Sequence, residues 1–199
     1  MAQGEIEAVT PKGRRTRNAL LEAGAVVAER RGLAGLSVAA VAEQAGVAKG
    51  TFYVHFADRD AFIDALHQRF YDRVSEAVTG AVQGLAPGRK LLLTAIDAYL
   101  DVCLSNRAVK ALVFETRAQR ALTTTMEQRE ELFATLAQPS LAAMGMTPAP
   151  IVARLFVAMT SETALIELEA GHEVPGARDT IRALAKARPT RSPPRASSS

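Results

Sequence analysis

The tightest constraint on this chain lies between Leu36 and Phe56, LSVAAVAEQAGVAKGTFYVHF, where two short helical patterns flank one glycine. Ser37 is a favoured N-cap type. Val38, Val41, Ala42 and Ala45 follow at i, i+3, i+4 and i+7, one apolar face over two turns. Gly46 comes next, where a helix end wants a left-handed residue. Beyond Val47 a second short helix is expected, with Phe52 and Phe56 four apart on its inner side. Lys49, Gly50, Thr51, Tyr53 and His55 are left on or near the outer side. Two short helices about a tight glycine turn, the second outwardly polar, form a helix-turn-helix pattern. Such a unit lays the N-terminal part of its second helix in the major groove of DNA.

The rest of the chain reads as helical too. Residues 1–10 lack periodicity and predict a mobile arm. Thr10 and Pro11 can open a first helix, with Leu20, Ala23, Gly24, Val27 and Ala28 as its inner stripe and Gly32 at its end. Asp58 caps the next helix, whose apolar positions Phe62, Ile63, Leu66, Phe70, Val74, Ala77 and Ala81 keep helical spacing to about Gly84. Further helices are expected over 89–105, 107–120, 123–137, 151–170 and 176–187, giving about nine in all. The helix over 151–170 is apolar on two sides, Val152, Phe156, Met159 and Ile166 on one and Ile151, Leu155, Ala158 and Leu165 on another. Two apolar faces imply contact with its own domain and with something else. From Arg188 the segment RPTRSPPRASSS predicts a disordered tail. No strand-type alternation occurs, so the fold class is all-α: an N-terminal three-helix helix-turn-helix domain over 11–57 and a helical bundle over 58–187.

Charge contributes less than the basic pI suggests. From Arg178 onward six basic residues face one acidic one, whereas residues 1–177 hold 18 basic and 20 acidic residues. DNA binding must therefore be argued from local placement, not from global charge. Lys12, Arg14, Arg15 and Arg17 lead into the first helix and serve either as phosphate contacts or as a solvated face. The single Cys103 excludes an internal disulfide and fits a reducing cytoplasm. The opening MAQGEIEAV has no apolar run of signal-peptide type, and no stretch reaches the length of a membrane span.

GVAKGTFYVHF followed by ADRDAF resembles the DNA-binding region of TetR-type transcriptional regulators. Gly46-Val47, Tyr53-Val54-His55-Phe56 and Arg59 match that family's glycine-valine turn, its Tyr-x-His-Phe run and its basic residue opening the next helix. The motif covers roughly residues 14–66. The resemblance implies a cytoplasmic homodimer that reads a palindromic operator in double-stranded DNA and acts as a repressor released by a small ligand. It implies DNA contacts from Ser37, Ala48, Lys49, Gly50, Thr51, Tyr53, His55 and Arg59. It also implies a dimer interface built from the helices over 151–170 and 176–187. A pocket among the middle helices would be lined by Phe70, Tyr71, Tyr99, Cys103, Phe114, Met126 and Phe133, suited to an apolar or aromatic effector.

Each site residue has a plainer reading. Lys49 can be a solvated lysine, Gly50 a requirement of turn geometry, Tyr53 a half-buried core residue, and every pocket candidate ordinary core. No enzyme is indicated: Cys103 has no nearby histidine, and Glu115, Glu127 and Glu162 lack paired partners. His55 and His67 are too far apart in sequence for a metal pair, so neither metal nor cofactor is expected. A helical protein–protein module that has lost DNA binding remains the alternative.

Overall fold

The computed structural model describes residues 10–107, 109 and 123–186, with the side chains of residues 123–130 outside that description. The expected arm, the tail from Arg188 and most of the helix over 107–120 lie beyond the described residues. Those described form eight helices and no strand. They are α1 (Pro11–Gly35), α2 (Val38–Gln44), α3 (Lys49–His55), α4 (Arg59–Val82), α5 (Arg89–Ser105), α6 (Thr123–Ala143), α7 (Ala149–Ala170) and α8 (Pro175–Lys186). Two compact units emerge, Met1–Ala77 with Asp101–Thr123 and Val78–Leu100 with Thr124–Ser199.

In the first unit the local signals set the boundaries. Thr10 caps α1, its Oγ1 accepting from Gly13 N at 3.0 Å, and Pro11 occupies the first helical turn. Gly32 breaks α1 at φ 60°, ψ −168°, after which one short turn brings the chain to Leu36. Ser37 Oγ accepts from Ala40 N at 3.2 Å and starts α2. Gly46 turns left-handed at φ 67°, a conformation that disfavours a Cβ. Asp58 Oδ1 accepts from Ala61 N at 2.8 Å and starts α4. Gly24, fully inside, lets α4 cross α1 closely: a Cβ there would strike the Phe62 ring and lie 3.3 Å from Leu66 Cδ1.

The second unit departs from expectation at Pro139. A break was expected before it, yet α6 runs on to Ala143. Pro139 lies on the exposed side, while Ala134 and Leu141, seven apart, stay buried across it. Burial of that stripe outweighs a helix-interior proline cost of about 3 kcal/mol. The helix then ends in a Schellman arrangement, Met146 N donating to Leu141 O at 3.0 Å and left-handed Gly145 N to Ala142 O at 2.9 Å.

The α7–α8 hairpin holds the largest surprise. Glu167 and Arg178 are both buried, at 1% and 4% exposure, and pair in bidentate fashion at 2.6 and 2.9 Å. Val174 N donates to the same Glu167 Oε1 at 3.2 Å. Ile166, expected beside Phe156, faces out instead. Ten residues advance a helix by about 280°, which carries Ile166 off the Phe156 face and to within about 60° of Ile151.

Candidate nucleic-acid interface

Three phenyl rings hold the helix-turn-helix from behind. Phe52, Phe56 and Phe62 are at most 4% exposed. Their centroids lie 5.3, 5.2 and 4.9 Å apart, in tilted and edge-to-face arrangements that aromatic quadrupoles favour. Leu20, Leu36, Val41, Ile63 and Leu66 complete that core. Because Phe52 points inward, its neighbours on the seven-residue α3 point the other way.

The expected contact residues divide by accessibility. Ser37, Ala48, Lys49, Gly50 and Tyr53 are exposed, Tyr53 to 56% with its ring edge-on to Phe52 at 5.6 Å. Tyr53 is therefore not core. Thr51 and His55 are partly buried. A Cβ on Gly50 would meet nothing within 4 Å, so no steric demand of the fold requires glycine there. Among the described residues Lys49, Lys12 and Arg15 enter no ion pair.

Arg59, expected at the duplex, is also engaged within the fold. Its Nε donates to Leu36 O and its Nη2 to Leu33 O, both at 2.6 Å, and Nη1 lies 3.9 Å from Asp60. The guanidinium fork is spent on carbonyls at the end of α1, a charge-assisted geometry matched to the negative end of a helix. Arg17 is similarly engaged, with Cζ 5.0 Å above the Phe56 ring. Neither role was legible in the sequence, since each depends on residues brought close only by folding.

The residues expected to line an effector pocket separate by unit. Buried Phe70 stacks edge-on to half-buried Tyr71 at 5.3 Å, and Cys103 is buried in the same unit. Tyr99 and Phe133, both partly buried, pair at 6.2 Å in the second. Phe114 and the side chain of Met126 lie outside the described residues. No group of metal-binding side chains occurs among the described residues, and none of the described helices is long and apolar enough to cross a membrane.

A capped α2, a left-handed glycine turn and an outwardly polar α3 define a helix-turn-helix DNA-binding head. Residues 20–66 match the family described as bacterial regulatory proteins, tetR family, so the head is a TetR-type domain. Solved structures share the wider fold. A TetR-like transcriptional regulator from Rhodococcus sp. RHA1 is 21% identical with a TM-score of 0.71, over 85% of this chain and 93% of that one. A Clostridium perfringens protein described as a fatty acid metabolism regulator is 20% identical, TM-score 0.66, over 84% and 96%. A transcriptional regulator from Aquifex aeolicus VF5 is 18% identical, TM-score 0.66, over 86% and 98%. No curated protein matches the chain. Residues 20–66 thus carry the match to regulatory proteins, and the wider chain shares the fold of these solved regulators.

Proposed function

We propose that this protein is a ligand-released repressor that binds a palindromic operator as a homodimer. The observation that carries the reading is the outer side of α3: Lys49, Gly50 and Tyr53 exposed above a buried Phe52, with a helical glycine the fold itself does not need. An exposed helical glycine costs about 1 kcal/mol relative to alanine. Close approach of a duplex backbone is a physical reason to keep it. Lys49 and the Tyr53 hydroxyl then contact phosphate or base edges, and Thr51 and His55 flank them.

One such head reads a short half-site weakly, whereas two heads about 34 Å apart read a palindrome with useful specificity. Ile151, Leu155 and Ile166 on α7 and Leu184 on α8, all 38% exposed or more, supply an aliphatic surface for a second copy. Phe70 and Tyr71 with Cys103 in the first unit, and separately Tyr99 with Phe133 in the second, are the candidates for effector contact. The Clostridium relative's description makes fatty acids of graded chain length the first effectors to try. Induction requires such a ligand to favour a head spacing that misfits the operator.

Selection of bound duplexes from a random pool, repeated with and without fatty acids, tests the whole reading. Two inverted half-sites should be enriched and then lost on adding an effective ligand. An enriched single half-site would remove the dimer, and no enrichment at all would remove DNA recognition.

A further inference from the structure

The outer side of α7 is aliphatic but carries two charges of opposite sign. Ile151, Leu155 and Ile166 are exposed there, as are Arg154, Ala158 and Glu162. Arg154 is the one basic residue of the helix. Among the described residues neither Arg154 nor Glu162 has an ionic or hydrogen-bonding partner. They cannot satisfy each other. Eight residues set them about 12 Å apart along the helix, beyond the three- and four-residue spacings at which side chains meet. Glu162 is thus a carboxylate set among aliphatic side chains, and covering that face with a purely apolar partner would strand it.

The pattern has a centre. Ala158, small and near the middle of α7, has Arg154 four residues before it and Glu162 four after. Ile151 stands seven before it, and half-buried Leu165 seven after. All four lie within about 40° of the Ala158 direction around the helix. A two-fold axis beside Ala158, running a second α7 antiparallel to the first, exchanges these positions. Arg154 of each copy then meets Glu162 of the other, and Ile151 meets Leu165. A parallel pairing would set Arg154 on Arg154 and Glu162 on Glu162, which repel. α8 supplies no competing match, because Arg178, Arg182 and Asp179 are already paired within their own chain.

We propose that a second copy docks α7 on α7, antiparallel about Ala158, and that the two reciprocal Arg154–Glu162 pairs decide which chains associate. This rests on the homodimer reading given above and adds to it a register and a recognition charge. The Ala158 methyl lets the two helices approach closely, so each guanidinium reaches a carboxylate as the aliphatic side chains around it are covered.

Charge exchange and cross-linking test this on the full chain. In sedimentation, Arg154→Glu and Glu162→Arg should each raise the dimer dissociation constant about 100-fold, since each creates two like-charge contacts. The double variant restores both attractions and should pair nearly as well as wild type. An equal mixture of the two single variants should form the mixed dimer in preference to either pure one. Treated with a thiol oxidant, Ala158→Cys should link to its own copy, because the two-fold brings those Cα atoms within the roughly 7 Å that a disulfide needs. Glu169→Cys, eleven residues from the centre and so about 33 Å from its copy, should stay unlinked. Wild type that is monomeric at every concentration overturns the homodimer reading itself. A dimeric wild type overturns only the register if its single charge variants pair normally, if the double variant stays dissociated, or if Ala158→Cys does not link.

Discussion

The helix-turn-helix head and the α7–α8 hairpin sort their residues in opposite ways. The head buries three phenyl rings and aliphatic side chains and turns Lys49, Gly50 and Tyr53 outward. The hairpin buries a carboxylate–guanidinium pair with Thr160 and Thr163, and turns Ile151, Leu155, Ile166 and Leu184 outward. Ordinary folding accounts for the first arrangement. The second makes sense when the aliphatic face has a covering partner, because exposed apolar patches mark association surfaces. The proposed function accounts for both: a wet, anionic duplex would meet the outer side of α3, and a second copy would cover the aliphatic side of the hairpin.

The contrast can be broken most forcefully at the hairpin's interior. Arg178→Met strands a buried Glu167 carboxylate and removes two hydrogen bonds, so chemical denaturation should register a loss of about 3–5 kcal/mol. Replacing both partners with aliphatics should recover most of that; no recovery would show that the pair does more than neutralise itself. In the head, Phe52→Ala should cost a comparable 3–5 kcal/mol or slightly less, since it opens a cavity among three rings. On the outer surfaces the effects should move from stability to association. Leu155→Asp should shift sedimentation toward monomer and lower operator affinity while leaving helicity near wild type; an unchanged species would remove this face from the interface.

The smallest effects discriminate best. Tyr53→Phe should reduce operator affinity about 5- to 10-fold through one lost hydrogen bond, with melting unchanged; a marked drop in melting temperature would return Tyr53 to the core. Gly50→Ala should raise stability by up to about 1 kcal/mol and weaken DNA binding at the same time. The opposed signs are the point. Improved stability with unaltered affinity would leave Gly50 without a DNA-facing role.

Most of the head was legible because its signals are local. Ser37 and Asp58 as caps, Gly46 as the left-handed turn, and Phe52 with Phe56 on one side all act within a few residues of chain. The arginine clasp was not, because Arg59 reaches carbonyls 23 and 26 positions away. The family resemblance alone assigns that side chain a place at the duplex, and nothing local points to the carbonyls it holds. The buried Glu167–Arg178 pair was hidden for a related reason. Both residues read as surface charges until the Gly171 turn, left-handed at φ 79°, folds α8 back on α7. Pro139 misled in the other direction, since a local helix-breaking rule yielded to burial of Ala134 and Leu141.

The inward ion pair has a consequence for how such regulators diverge. A hairpin whose geometry is pinned from inside by Glu167, Arg178 and the Val174 amide does not depend on its outer aliphatics for shape. Those outer positions are free to change through duplication and drift without unfolding the chain. If two copies pair through that face, as proposed, substitutions there would change which copies recognise each other while the hairpin keeps its shape.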